Sequence, residues 1–490
     1  MKNGIGRRQA LKLATLLPVG ISSQAISRSD VNHSNSIDVG LFNDISRLHI
    51  SEDVAFVRTS GFWQEGEGQQ ILERVTNKPK YFNWPRYIQS ADSSLWCVVD
   101  GHDAGKVFGE IADGKYHALS ERFTKLEQAK RIYPFVTSLV QSIDWAAMQT
   151  LVKYAIGGEV AIGRGIRIIT DPIRVPARVI IVGECSDPSN LSFRAHGASG
   201  AFGNGRGVFE SENYMDLVNP DYWHWSTLRQ IAVDAAGIAD HGISLWCMGE
   251  QSLLEDVWVQ GAKTANIYIG GYGAVGTLRN CSVWKAGKYG VWMTGHPLSN
   301  FPKKGHGVIG ADGNGGSYRI NNLSGDHNPV HIRADGSQIV ELTGLKSEMS
   351  PIVISIGGSR SGPARQRWDI SGFRAEGGRF GEAFIRIDEG ATPSIQVGPG
   401  ATYNYDILID DLFPNGHQAI KAGQAGVTSL SYSRDRGDAT IIATDRLSFF
   451  GAEPRPKGSL PPTLGSTATG AERDALLNAI RQLLVGYGLA

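Results

Sequence analysis

Six segments of this chain share one pattern. "LRQIAVD" (Leu228–Asp234), "LEDVWVQ" (Leu254–Gln260) and "LRNCSVW" (Leu278–Trp284) begin 26 and 24 residues apart. Each is followed by a second short run: "GISLW" from Gly242, "NIYIG" from Asn266 and "GVWMT" from Gly290. The pattern returns in "INNLSGD" (Ile320–Asp326), "LTGLKSE" (Leu342–Glu348) and "ISGFRAE" (Ile370–Glu376), followed by "VHIR" from Val330, "IVIS" from Ile352 and "FIRID" from Phe384. A repeat of about 22–28 residues built of short strands and turns predicts a solenoid of strands. One coil cannot bury its apolar side chains alone, whereas stacked coils bury a continuous column. Leucine-rich and ankyrin arrays are disfavoured, because they need a helix or its short equivalent in each unit. A β-sandwich would show turns at shorter spacing.

Composition agrees. The 61 glycines among 490 residues exceed the average of about 7%, without a collagen period. They suit many tight turns between short strands. Lys+Arg and Asp+Glu are 48 each, a balance that points away from a nucleic-acid binder or a polybasic membrane anchor. Cys97, Cys185, Cys247 and Cys281 are widely spaced with no C-x-x-C, which disfavours a zinc ribbon or a dithiol redox site.

The stretch before the repeats begins as a helix. Asp144, Ala147 and Gln149 precede Gly157-Gly158, and then come the apolar runs "EVAIG", "IRIIT" and "IRVPARVIIVGE". These residues resemble the entry to the pectate-lyase superfamily domain, where a capping helix leads into the first coils. Gly163-Arg164-Gly165 stands where that family usually has a Pro-Gly turn. Upstream, "VRTSGFWQEGEGQQ" and "SADSSLWCVV" resemble the region that often precedes this domain in exported and phage tailspike-like β-helix proteins. The resemblance implies an all-β fold, a single-stranded right-handed parallel β-helix with an N-terminal capping helix, a small N-terminal region and a C-terminal helix. It implies no single chemistry, since the family includes lyases, hydrolases, epimerases and non-catalytic binders.

The divisions expected are an export signal at 1–25, a polar linker at 26–40, a mixed α/β region at 41–140 and the β-helix at 141–400. A C-terminal β region at 401–455 and a Pro-rich linker with an amphipathic helix at 456–490 follow. Gly6-Arg7-Arg8-Gln9-Ala10-Leu11-Lys12 resembles a twin-arginine export signal with Ala10 in place of Phe, which implies a periplasmic or extracellular bacterial protein. The apolar stretch behind it is too short to span a bilayer. Leu476, Leu477, Ile480, Leu483 and Leu484 form a stripe at helical spacing. The stripe either docks on its own β-helix or self-associates, making a homotrimer an expected alternative.

Side chains alternate along a strand, so the repeat assigns faces. Ile231/Val233, Val257/Val259, Cys281/Val283, Leu323/Gly325, Leu345/Ser347 and Phe373/Ala375 should point inward. Asp234, Gln260, Trp284, Asp326, Glu348 and Glu376 should then form one outward column. Ala232, Trp258, Ser282, Ser324, Lys346 and Arg374 should form the next. A column of carboxylates beside tryptophans and cations suits a sugar polymer: carboxylates serve as acid and base, and indole faces stack on sugar rings. Asp326, Glu348, Glu376 and Asp234 are the catalytic candidates. Trp258, Trp284, Lys346, Arg374 and His327 are the substrate-binding candidates. Lys346 and Arg374 could meet uronate groups, while pairs such as Lys346–Glu348 could equally solvate an exposed sheet. No loop spells a dedicated metal site or demands a cofactor, although stacked carboxylates could take Ca2+ as in some pectate lyases. Gly305–Gly307 ("GHG") is similar to a polygalacturonase-type motif, without that family's upstream Asp-Asp pair. Two functions stay open: cleavage of a polysaccharide by lyase or hydrolase chemistry, or non-catalytic glycan binding by a tailspike-like trimer.

Overall fold

The computed structural model describes most of residues 35–443, with short breaks of which the longest are 77–86, 215–222 and 295–313, and a few residues beyond 443. The twin-arginine segment, nearly all of the C-terminal amphipathic helix and the Gly305–Gly307 motif lie outside the described residues.

The protein is a parallel β-helix. One long sheet runs through Arg167–Ile169, Phe193–Ala195, Thr227–Asp234, Ser252–Gln260, Val275–Arg279 with Ser282–Trp284, Asn314–Asp326, Ser337–Glu348, and Ala364–Ser371 with Phe373–Glu376. A second sheet stacks Ile173–Val175, Gly207–Ser211, His241–Trp246, Ala265–Gly270, Tyr289–Thr294, Val330–Asp335, Ile352–Gly357 and Ala383–Ile387. Every pairing among these strands is parallel, and the partner always belongs to an adjacent coil. The stacking continues past residue 400, the expected end of the β-helix, because Gly400–Tyr403 pairs with Phe373–Glu376 and Ile407–Phe413 with Ala383–Ile387.

The first sheet bends once within each coil. The bend falls on Gln230, Asp256, Asn280, Asn322, Gly344 and Gly372, all with φ between 51° and 74°. Side chains that tolerate the left-handed region, or no side chain at all, occupy most of these positions. The amide of Asn322 donates to Asn280 Oδ1 at 3.0 Å, and the amide of Asn280 donates to Asp256 Oδ1 at 3.0 Å. The bend is therefore both a backbone preference and a hydrogen-bonded ladder.

The inward residues form the core. Ile231, Val233, Val257, Val259, Cys281, Val283, Leu323, Leu345 and Ala375 are all buried. Gly325 breaks the run of valines for a reason on the facing strand. The His331 ring fills the vacated space, and its Nδ1 lies 2.7 Å from Ser347 Oγ. A Cβ on Gly325 would come within 2.6 Å of the His331 ring and of the Val283 carbonyl oxygen.

The helix Ile143–Tyr154 covers the open end of the coils. Its entry motif has a structural use. Asp144, buried, accepts from the backbone N–H of Ile111, Ala112 and Ile168 at 2.8–3.0 Å. Gln149 bonds both backbone groups of Arg174. The fully buried Arg167 makes a two-pronged bond to Glu110 at 2.7 Å and also donates to the carbonyls of Gly163 and Gly165. The helix, the upstream loop and the first coil are thus pinned together.

Upstream, Ser36–Leu41, Phe56–Gly61, Ile71–Arg74, Leu95–Val98 and Tyr87–Gln89 form a separate sheet in that order. All but the last residue of the first of these strands falls inside 26–40, read from sequence as linker. It pairs in parallel with Phe56–Gly61, a contact that its polar composition does not reveal. Cys97, Cys247 and Cys281 are free thiols, and no helix among the described residues is long and apolar enough to cross a membrane.

Two outcomes are expected. Gly325→Ala should destabilise the protein by about 1–3 kcal/mol, the usual cost of overpacking, measured by urea unfolding. Burial also pushes the imidazoles of His331 and His241 down to about 3 and about 4. A histidine depressed on folding contributes stability above its unfolded pKa, and that stability is lost as pH falls toward the folded value. Between about pH 6.5 and 4, His331→Leu should therefore gain on the wild type by several kcal/mol, at about 1.4 kcal/mol per pKa unit. Glu210, which burial pushes up to about 7, contributes the opposite slope over part of this range. The comparison with the variant isolates the histidine; parallel pH profiles would contradict it.

Candidate functional site

From Thr227–Asp234 onward the first sheet ends in a left-handed turn on each coil, at Ala236, Gly261, Lys285, His327, Met349, Gly378 and Asn404. Just ahead of these turns stands the outward column. Backbone register pairs Asp234 with Gln260, Gln260 with Trp284, Trp284 with Asp326, Asp326 with Glu348, and Glu348 with Glu376. Glu376 in turn pairs with Tyr403, a residue that sequence reasoning missed because the aligned repeats stop at Glu376. Its only signal is the following Asn404, which takes the left-handed position that ends the earlier coils.

The structure divides the candidates. Asp326, Glu348 and Glu376 stand on three successive rungs, about 4.8 Å apart. Their side chains are 16%, 39% and 43% exposed, so the most open carboxylates are the later two. Asp234 lies three rungs earlier and away from them. It is held by Arg194 at 3.3 Å and accepts from the Ala236 N–H at 2.8 Å, the roles of a turn residue.

Two of the three carboxylates have a cationic neighbour, and the third has an imidazole beside it. Lys346 Nζ is 2.8 Å from Glu348 and Arg374 is 3.7 Å from Glu376. His327 Nδ1 is 2.7 Å from Asp326 Oδ1, but without the alignment a hydrogen bond needs, so that buried oxygen accepts none. Arg374 also lies over the Tyr403 ring, 5.5 Å from its centre.

The tryptophans differ from the expected open platforms. Trp258 is only 9% exposed and packs with Leu191 and Ala232 on the outside of the sheet. Its ring centre is 4.4 Å from that of the half-buried Trp284, tilted by 46°. Of the two, Trp284 is the one with surface left to offer a ligand.

A second polar cluster, absent from the sequence reading, sits on the outer face of the second sheet. Arg333 joins Asp335 at 2.6 Å, and also bonds Asp388 and Ser355. Trp292 donates its Nε1–H to Asp335 at 2.7 Å. Beside it Tyr268, Tyr289 and Trp292 pack together. Arg333 and Asp335 expose only 17% and 14% of their side chains, so this network ties coils together more than it offers itself to solvent.

Calcium fits poorly. Ca2+ takes 6–8 oxygen ligands, whereas the stacked carboxylates already face Lys346, Arg374 and His327. Among the described residues no group of three or more His, Cys, Asp or Glu side chains is arranged to hold a metal.

No protein-family model matches the chain, and no curated protein matches it. Among solved structures it is similar to the tailspike protein gp49 of Pseudomonas phage LKA1, at 13% identity and TM-score 0.34, over 64% of this chain and 78% of that one. It is also similar to ORF18 of Geobacillus virus E2, at 12% identity and TM-score 0.38, over 89% and 94%. A third is WceF of Pantoea stewartii, described as a glycan biofilm modifying enzyme with a tailspike-like parallel β-helix fold, at 10% identity and TM-score 0.33, over 79% and 53%. The parallel β-helix of the present chain rests on its own strand ladders.

The ion pairs make a testable contrast. Lys346→Ala should change stability by less than about 1 kcal/mol, as for an exposed pair. Arg333→Ala should cost roughly 3 kcal/mol, because it leaves Asp335 poorly solvated without its partner. Urea unfolding of the two variants checks both.

Proposed function

We propose that this is an exported, polysaccharide-active β-helix protein of pectate-lyase type. It would bind a linear glycan along the column from Trp284 to Tyr403 and cleave it at Asp326, Glu348 and Glu376. The observation that carries this reading is the backbone register, which lines up Trp284, three carboxylates and Tyr403 on five consecutive rungs. Four steps of about 4.8 Å give a strip of about 19 Å, the scale of a few sugar units. Tyr403 and Trp284 supply ring faces at its two ends.

The chemistry follows from the spacing. Carboxyl groups on adjacent rungs suit a retaining hydrolase, which needs about 5–5.5 Å, and groups two rungs apart approach the about 6.5–9.5 Å of an inverting one. In either case one carboxylic acid protonates the leaving glycosidic oxygen. Its partner, as carboxylate, attacks the anomeric carbon or takes a proton from water. In a lyase the same carboxylate would take the proton next to a uronate group, with Arg374 as a bidentate partner for that group. We assign the acid's role to Asp326 because it is the least exposed of the three.

The same-strand pairs Lys346–Glu348 and Arg374–Glu376 favour a second reading, a non-catalytic glycan-binding protein, trimeric in the manner of a tailspike. Incubation with acidic and neutral polysaccharides separates the two. Cleavage should appear as new reducing ends, or as unsaturated-uronate absorbance for a lyase. It should fall at least a hundredfold in Asp326→Asn and Glu348→Gln, in line with the usual weight of acid–base catalysis. Glycan binding without cleavage, unchanged in both variants, would establish the binder instead, and light scattering would report the trimer.

A further inference from the structure

A cleft of about 700 Å³ opens where the capping helix meets the first coils of the second sheet. It is far from the acidic strip, on the other sheet and near the opposite end of the stack. Three cations line it from three different elements: Lys153 on the helix, Arg174 on Ile173–Val175, and Arg206 just ahead of Gly207–Ser211.

The cations are held in different ways. Gln149 bonds the N–H and the carbonyl of Arg174 at 2.8 and 3.0 Å, so its backbone is fixed while its side chain is exposed. Arg206 is anchored 2.5 Å from Glu210, which is wholly buried and also accepts from the Gly207 N–H at 2.9 Å. Among the described residues no carboxylate lies within ion-pair distance of Lys153 or Arg174, although Arg174 is near enough to the buried Glu210 to act on its charge.

The rest of the lining has another character. Phe135, half-buried, stands edge-on to Trp145 with ring centres 5.4 Å apart, giving the cleft an aromatic wall. Asp171 and Glu212 supply acceptors. Asp171 accepts from the Gln141 amide through one oxygen at 2.9 Å, while its other oxygen is buried and accepts nothing.

Cations, carboxylate acceptors and an aromatic face within one cleft match one class of ligand. A sugar acid has a carboxylate for Lys153 and Arg174, hydroxyl donors for the exposed Glu212, and an apolar ring face for Phe135. A simple anion such as phosphate has no hydroxyl-bearing ring and would leave the aromatic wall unused. We propose that this cleft is a separate binding site for a uronic-acid unit of a saccharide, with Arg174 and Lys153 as the groups that take its carboxylate.

The test is calorimetric titration of the full-length protein with trigalacturonate, with a glucuronate-containing tetrasaccharide, and with the methyl esters of both. The esters keep the shape and remove the charge. At least one acid should bind, its ester at least tenfold more weakly. Arg174→Ala and Lys153→Ala should each lower the affinity at least tenfold. Arg174 is exposed and Lys153 half-buried, and neither closes an ion pair among the described residues, so both variants should fold, as circular dichroism would verify. Equal binding of acid and ester, binding unchanged in both variants, or no binding at 10 mM saccharide, on the order of the weakest useful affinity, would each overturn the proposal. Cleavage at the strip should be unaffected by either substitution. A loss of uronate binding in Glu348→Gln would instead place that binding at the strip and also overturn the cleft proposal.

Discussion

Each coil of this protein must turn at the same place as the one before it, and the rest of the structure depends on that constraint. Hydrogen bonds in the sheets run between coils, so a strand has no partner unless its neighbour is in register. Two left-handed backbone positions per coil set the register. One bends the first sheet, at Gln230, Asp256, Asn280, Asn322, Gly344 and Gly372. The other ends it, one or two residues past the outward column. Lys285, His327 and Met349 adopt this conformation without being glycine, at a cost of order 1 kcal/mol each. The ladder bonds gained on both sides outweigh that cost. Among the described parallel strands one slip lies inside a strand, where Asn314–Asp326 shifts against Ser337–Glu348 between Asn314 and Ser317. From Ser317 on, that strand pairs in register with the coils on either side, as Tyr289–Thr294 does, although positions 295–313 separate the two in sequence.

This constraint explains what could be read in the sequence. A fixed turn forces a fixed period, and the period aligns residues that become neighbours in space. The outward column from Asp234 to Glu376 could be written down from spacing alone because the pairing partner is always the next coil. Contacts that cross between faces or between regions leave no such trace. Arg333 and Asp388 are 55 residues apart and meet through the strand order of the second sheet. Trp258 loses its exposure to Leu191, which lies before the aligned repeats. His331 becomes a core residue because Gly325 on another face makes room for it. In each case the missing information is the path of the chain around the corner of the coil, which periodicity does not record.

The capping helix shows a related limit. Asp144 and Gln149 read as a motif of entry, and polar residues in a motif invite a functional interpretation. Here their side chains are used up on backbone groups of the loop and first coils. The open end of a solenoid exposes both apolar side chains and unpaired strand groups. A helix can cover the first but cannot pair the second, so its side chains must do so. The buried Arg167–Glu110 pair belongs to the same solution, since removing either partner would leave a charge stranded in the cap.

A net charge of zero says little about what the surface offers a charged polymer. Beyond about 8 Å, physiological salt screens one exposed patch from another. The cleft begins at the rung of Arg174, and the rung of Val330 that accompanies Asp326 lies five steps on, about 24 Å along the stack. At that distance the two patches act independently. The strip carries three carboxylates against Lys346 and Arg374, so a glycan bound there gains most from ring stacking and hydrogen bonding and little from its charge. The cleft has two cations outside ion-pair distance of any described carboxylate, so an acidic unit would gain more from its charge there than on the strip, where Lys346 and Arg374 already face Glu348 and Glu376. A polymer long enough to reach both would be held by two different chemistries, and tethering at the first would raise its effective concentration at the second.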